Sequence, residues 1–329
     1  MEEILVRLYQ HYTLSKAEAK SVLIDLAQGK FSEVQMASFI TVFNMRAITL
    51  DELAGFREAL LGLCIKPDLS EFNLLDLCGT GGDGKNTFNI STLASLIVAG
   101  AGEKVAKHGN YGFSSVSGSS NILEYLGYRF TSDEIRLKKE LDQAGICFLH
   151  APVFHPAMKN IAAIRKKLKV RTFFNLLGPL VNPAQPQHQM TGVFSLELAR
   201  LYHFIFQASG RHYKVVYALD GYDEISLTSD FKVYENSGEP LYYLSELPFK
   251  KLNAIDIAGG NSVEENAEIF ETILKGEGTA AQNEVVLANA AFAINTVTGE
   301  TLGRCKEKAE KSLFDKKALA AFETLLKLD

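Results

Sequence analysis

The sequence predicts an α/β protein, in which a small all-helical domain precedes a larger domain built on a mainly parallel sheet flanked by helices. Three observations predict it. The first 66 residues carry three capping-box motifs and no strand pattern. From Pro67 onward, short apolar runs alternate with amphipathic segments, as parallel strands joined by helices do. The chain has 329 residues, 47% hydrophobic and 22% charged, enough for one large or two moderate cores.

In the helical domain, residues 1–66, Ile4, Leu5, Leu8, Tyr9 and Tyr12 recur at helical spacing. Ser15 with Glu18, Ser32 with Gln35 and Thr49 with Glu52 each place a hydroxyl three residues before a carboxylate or amide. That pairing satisfies N–H groups orphaned at a helix start. Gly29 stands where a left-handed helix stop is needed. Four short helices are therefore expected. In residues 67–329, strands are expected at 73–78, 104–107, 146–150, 190–194 and 213–219, with helices at 92–99, 133–143 and 196–208. The segment Met158–Leu180 interrupts the alternation because it reads as long, helical and basic. Residues from about 158 to 185 are expected to pack back on the first helices and complete their domain. From Val263 to Asp329 the chain returns to helices that cover the sheet.

Charge and composition narrow the partners. Lys and Arg number 34 against 39 Asp and Glu, a net charge of −5, whereas general nucleic-acid binders are basic. No apolar run approaches the roughly 20 residues that span a bilayer, and MEEILVRLYQ is an acidic amphipathic helix, not a signal peptide. Neither nucleic acid nor membrane is expected as a partner. Cys64, Cys78, Cys147 and Cys305 are scattered without a C-x-x-C pair, which suits a reducing cytoplasm. Trp is absent.

Four segments carry chemistry. An apolar strand runs into Gly79-Thr-Gly-Gly-Asp-Gly84, and a helix starts near Ser91. Glycines let backbone N–H groups approach an anion, and the helix start adds its dipole. The run is neither a P-loop nor G-x-G-x-x-G, and four glycines in six positions exceed what a plain turn requires. A second run, His108 to Ser120, holds three glycines and five serines and begins at the end of the next strand, beside Lys107. In open α/β sheets ligands bind beyond the carboxyl ends of strands, so a lysine and hydroxyls there suit a polyphosphate. His108 reads either as a general base or as a support of the loop. The third segment is Asp223-Glu224, in the turn after a strand. Magnesium takes one or two carboxylates together with waters and substrate phosphates, and the pair gains that meaning only beside the two other turns. The fourth is Arg165-Lys-Lys-Leu-Lys-Val-Arg171, where Ile161, Ile164 and Leu168 form an apolar side and Arg165 and Lys169 share another. Most of these charges are a solvated face, yet one arginine can clamp a carboxylate with its planar fork.

Gly79-Thr-Gly-Gly-Asp83, Asn89-Ile-Ser-Thr92, Lys107-His-Gly-Asn110, His155-Pro-Ala-Met158, Arg171-Thr-Phe-Phe-Asn-Leu-Leu-Gly-Pro179 and Asn182-Pro-Ala184 together resemble the anthranilate phosphoribosyltransferase family in order and spacing. The resemblance covers essentially the whole chain. It implies a nucleoside phosphorylase-like phosphoribosyltransferase fold and a step of tryptophan biosynthesis. In that step anthranilate and phosphoribosyl pyrophosphate (PRPP) give N-(5-phosphoribosyl)anthranilate and pyrophosphate. It also implies two magnesium ions and a homodimer through the helical domain. Carried residue by residue, it puts Gly79, Gly82, Asp83, Thr87, Asn89, Ile90, Ser91 and Thr92 on PRPP. It likewise implies PRPP contacts for Lys107, His108, Gly109, Asn110, Tyr111, Gly112, Phe113, Ser114, Ser115 and Ser119. Ser91, Asp223 and Glu224 are the implied metal ligands, and Gly79, Asn110, His155, Pro156 and Arg165 the implied anthranilate contacts. Lys107, Asp83, Ser91 and Glu224 are the implied catalytic set. The chain departs from the family where many members carry Arg, Lys and Asp in the serine-rich loop: here Tyr111, Val116 and Asn121 stand there. Two positive charges are lost. A nucleoside phosphorylase-like enzyme would carry Lys-His-Ser-Thr-Gly-Gly where this chain has Lys107-His-Gly-Asn110. A non-catalytic binding protein on the same scaffold is the other alternative.

Overall fold

The computed structural model describes residues 1–112 and 116–328. The chain divides into two compact units, Met1–Lys66 with Ala151–Pro183, and Pro67–His150 with Ala184–Asp329.

The first unit is helical. Its amino-terminal segment forms Glu2–Tyr9, Lys16–Ala27, Glu33–Met45 and Leu50–Leu63. Ser15, Ser32 and Thr49 cap the last three, each in a reciprocal capping box with Glu18, Gln35 or Glu52. Gly29 is left-handed at φ +71°. Leu23, Leu26, Phe39, Ile40, Leu53 and Phe56 are buried, and Phe173 stacks on Phe56 with ring centroids 4.6 Å apart. The second segment of the unit thus supplies part of its aromatic core. That segment enters at Ala151 rather than at about 158, because strand pairing stops at His150. It is also not one long helix. The helix Lys159–Leu168 ends where Lys169 turns left-handed at φ 54°, and short 3-10 turns follow at Phe173–Leu176 and Gly178–Leu180. Lys169 therefore caps the helix and does not share a helical face with Arg165.

The second unit carries one seven-stranded sheet: β1 Leu74–Gly79, β2 Lys104–Gly109, β3 Ile146–His150, β4 His188–Gly192, β5 His212–Ala218, β6 Phe231–Glu235 and β7 Leu241–Tyr242. Their order is β3-β2-β1-β4-β5-β6-β7. The first five run parallel, and β6 and β7 pair antiparallel. The antiparallel pair escapes the sequence reading because Phe231–Glu235 is a short run of mixed polarity. From β1 the chain steps outward through β2 to β3, then returns to β4 on the opposite flank of β1. Such a reversal opens a crevice at the carboxyl ends of the strands. The helix Ile90–Gly100 is almost wholly buried and packs with Ala280–Thr298, Leu302–Phe314 and Lys317–Lys327, which form the expected helical cover together with Val263–Leu274. Among the described residues, no single helix is long and apolar enough to cross a membrane.

Candidate active site

The site begins with a fork. Strands β1 and β2 pair at Leu74–Lys104 and Leu75–Val105, and no register pair follows toward their carboxyl ends. Two buried side chains fill the split. The Asp76 carboxylate accepts a hydrogen bond from the His108 N–H at 3.1 Å, and the Lys107 ammonium donates to the Leu77 carbonyl. Gln189 donates to the same Asp76 carboxylate at 3.2 Å. A charged residue in the apolar run Leu74-Leu-Asp-Leu-Cys78 was the available signal for Asp76, and sequence reasoning missed it.

On the other flank β1 and β4 stay paired to their last residues, Gly79 and Gly192. Both glycines are required by close approach. A Cβ at Gly79 would overlap the Asp223 carboxylate, and one at Gly192 would overlap the Asp223 carbonyl. The turn after β5 thereby leans across the ends of β1 and β4. The Asp223 carboxylate accepts a hydrogen bond from Gly81 N–H at 2.6 Å. Gly81, Gly82 and Gly84 all have φ between +67° and +82°, which residues with a Cβ rarely adopt.

Glu224 lies near the start of the helix Ile90–Gly100, where the hydroxyl and N–H of Ser91 favour its charged form. The helix start thus faces a protein carboxylate. The Lys107 ammonium lies 3.4 Å from Ser91 Oγ, and its side chain is 2% exposed. Burial pushes the Asp223 carboxyl well above the usual range, and the charges of Glu224 and Asp83 push it further. Burial raises Glu224 to about 7, against the pull of Lys107 and Ser91. Three carboxylates held close with one ammonium form a centre short of positive charge. Among the described residues, no group of three His, Cys, Asp or Glu side chains forms a closed metal cage. Two carboxylates and a hydroxyl instead suit a metal that keeps waters and takes substrate phosphates.

The other expected residues of the α/β unit lie in or beside the same turns. Asp83 accepts from Lys85 N–H at 2.9 Å. Thr87 bridges Ala258, and Asn86 accepts from Gly259 N–H at 2.7 Å, so residues 258–260 brace the glycine turn, a contact no sequence signal announced. Asn89 and Ser117 bond each other's side chains at 3.4 Å and link the glycine and serine turns. Ile90 and Thr92 are buried, so Ile90 can offer a ligand only its backbone. Gly109 ends β2, and the Asn110 carbonyl accepts from the Ser119 hydroxyl at 3.4 Å. Asn121 Oδ1 accepts from the N–H groups of Gly112 and Gly118, both at 2.9 Å, closing the base of the serine loop. Tyr111 sets its ring edge against His150 at 4.8 Å and donates its hydroxyl to Glu124 at 2.8 Å. Phe113, Ser114 and Ser115 lie outside the described residues. The expected anthranilate contacts divide between the units: Gly79 and Asn110 belong to the α/β unit, His155, Pro156 and Arg165 to the helical one. His155 is buried, its Nε2 3.1 Å from the Val181 carbonyl. Pro156 opens a 3-10 turn. Arg165 lies over the Phe174 ring and donates to Asn175 Oδ1 at 3.1 Å, and burial pushes its guanidinium down to about 10.

Comparison with known proteins decides the family. The description "glycosyl transferase family, a/b domain" matches residues 71–319, and "glycosyl transferase family, helical bundle domain" matches residues 2–64. The anthranilate phosphoribosyltransferase of Flavobacterium psychrophilum is 56% identical over 328 residues, covering 100% of this chain and 98% of its own. That of Christiangramia forsetii is 55% identical over 328 residues, covering 100% and 99%. The chain belongs to the anthranilate phosphoribosyltransferase family. Solved structures of that family share the architecture. The Thermus thermophilus enzyme superposes with a TM-score of 0.90 at 33% identity, covering 98% of each chain. The Saccharomyces cerevisiae anthranilate phosphoribosyltransferase in complex with PRPP and Mg gives 0.85 at 27% identity, covering 96% of this chain and 93% of that one. The same yeast enzyme in complex with 4-fluoroanthranilate gives 0.84 at 26% identity with the same coverage.

Proposed function

We infer that this protein transfers the 5-phosphoribosyl group of PRPP to the amine of anthranilate and releases pyrophosphate, a step of tryptophan biosynthesis. The observation that carries the reading is the meeting of Gly79–Gly81, Ser91, Lys107 and Asp223-Glu224 at one sheet edge, in a chain of this family.

Cleaving the ribose C1–oxygen bond builds positive charge on the sugar, as in glycoside chemistry, and negative charge on the departing diphosphate. The glycine turn lines the edge where that diphosphate would lie. Ser91, Asp223 and Glu224 would hold two magnesium ions; bound there, magnesium supplies positive charge to the diphosphate oxygens. The excess of carboxylate over ammonium in the centre fits such ions. Lys107 offsets Glu224 and donates to the Ser91 hydroxyl. Asp83 adds charge at the mouth of the same turn. Anthranilate attacks through an aryl amine that is already neutral at pH 7, so no strong base is needed before attack. Asn110 and Arg165 would bind anthranilate, with Gly79 nearby and Arg165, still charged at neutral pH, as the carboxylate clamp, and His155 and Pro156 would line the aromatic channel. Orientation of the two bound substrates supplies up to about 7–11 kcal/mol of the barrier reduction.

The protein is proposed to act as a cytoplasmic homodimer. Val6, Tyr9, Tyr12, Val34 and Met45 of the helical unit are exposed, an apolar surface that self-association would cover, and the cysteines are free thiols. The deciding experiment follows anthranilate fluorescence on mixing with PRPP and magnesium. Loss of the signal that depends on all three supports the reading, and a constant signal ends it.

A further inference from the structure

The three turns at the sheet edge contain a single cationic side chain. Residues 80–89, 110–118 and 219–230 together hold one lysine and no arginine. That lysine is Lys85. The other nearby ammonium, Lys107, is buried and committed to the Leu77 carbonyl and Ser91. Lys85 is only partly buried, and it forms no ion pair with a described residue. Its ammonium instead rests on the face of Tyr222, 4.7 Å from the ring centroid. Tyr222 immediately precedes Asp223-Glu224, and the Lys85 N–H is bonded to Asp83. The charge is therefore parked beside the carboxylate centre, on a partner worth little and easily exchanged.

We propose that Lys85 is a diphosphate-binding residue of this enzyme. Its ammonium leaves the Tyr222 ring when the substrate arrives and pairs with the pyrophosphate oxygens. Three arguments support this. A diphosphate beside Asp83, Asp223 and Glu224 meets like charge unless cations intervene, and the serine loop offers none. The flexible four-carbon stem of a lysine lets its ammonium leave one partner for another while the backbone stays in place. An ammonium–phosphate pair is charge-assisted on both sides, so it outcompetes a ring face. The diphosphate end is favoured over the 5-phosphate because Lys85 neighbours the proposed metal ligands.

The inference rests on the PRPP reading of the site, and the test separates the two. Wild-type protein, K85M and K85R are compared for steady-state turnover, and for binding of inorganic pyrophosphate with magnesium by calorimetry. K85M is expected to raise the KM for PRPP and the Kd for pyrophosphate by about ten- to a hundredfold, the worth of a charged hydrogen bond. The KM for anthranilate stays unchanged, and K85R recovers most of the loss. A merely structural lysine would move both KM values or neither. Active wild-type protein with unaltered pyrophosphate binding in K85M overturns the assignment of Lys85 alone. Wild-type protein that neither turns over nor binds pyrophosphate overturns the PRPP reading and this inference with it.

Discussion

Asp223 lies over Gly192 so closely that the glycine has no room for a side chain: a Cβ there would sit within the Asp223 carbonyl. The end of β4 is thus the seat on which the acidic turn rests, and the turn's position is set by packing before any metal arrives. Gly192→Ala should displace Asp223 and Glu224 together. Overpacking costs about 1–3 kcal/mol, visible as a lower urea midpoint, and the magnesium concentration for half-maximal activity should rise. A variant with normal stability and metal response would show that the turn does not depend on this contact.

Neutralising the acidic turn should have opposite effects with and without metal. In chelator, the raised pKa of Glu224 means that the folded state holds its proton more tightly than the unfolded one. The associated stability is full below the ordinary value of 4.5 and is lost as pH rises through about 7. Wild-type melting temperature in chelator should therefore fall across that window, and Glu224→Gln should flatten the fall. Magnesium should raise the melting temperature of wild-type protein but not that of the Asp223→Asn, Glu224→Gln double variant.

Arg165→Ala should raise the KM for anthranilate far more than that for PRPP. The guanidinium is aligned by Phe174 and Asn175, and a planar fork pairs with a carboxylate. Equal losses for the two substrates would assign Arg165 to the fold of its own unit.

The Tyr111 ring packs its edge on His150, while its hydroxyl donates to Glu124. Tyr111→Phe keeps the ring contact and should change little. Tyr111→Ala should speed amide exchange at Gly112 and Gly118 by roughly two- to tenfold, the value of one aromatic contact. Unchanged exchange would show that the Gly112 and Gly118 amides depend on Asn121 and not on the Tyr111 ring.

In the helical unit, Glu52 is fully buried, and its carboxylate accepts from Arg46 at 2.6 and 2.9 Å and from Leu14 N–H at 2.9 Å. Burial alone would raise its pKa, but the bonds from Arg46, Leu14 and Thr49 outweigh it and hold the carboxyl below the usual range. That stability is present above the ordinary carboxylate range and is lost as pH falls through the depressed value. Glu52→Gln should cost about 3 kcal/mol at neutral pH, because it strands Arg46. A chemical denaturation series from pH 7 to pH 3 should show the wild type converging on the variant.

Much of this was legible in the sequence because it is local. Capping boxes at Ser15, Ser32 and Thr49 need only residues three apart, and the glycine turn declares itself by composition. The other expected site residues came from the family motifs. What stayed hidden depends on chain segments far apart. Nothing near Asp76 reveals that β2 diverges beside it, and nothing near Gly192 reveals that residue 223 will cover it. Lys85 was passed over because its partner, Tyr222, lies more than a hundred positions away. Lys169 misled because periodicity continued where the backbone turned left-handed.

The two-part construction of the helical unit has a consequence for biosynthesis. Its first four helices leave the ribosome early, yet Phe39, Phe43 and Phe56 gain their neighbour Phe173 only after more than a hundred further residues are made. Until then a greasy aromatic face stays uncovered on the nascent chain, at risk of capture by other polypeptides. Translation pauses placed before residue 183 should therefore prolong chaperone engagement, whereas pauses after it should not.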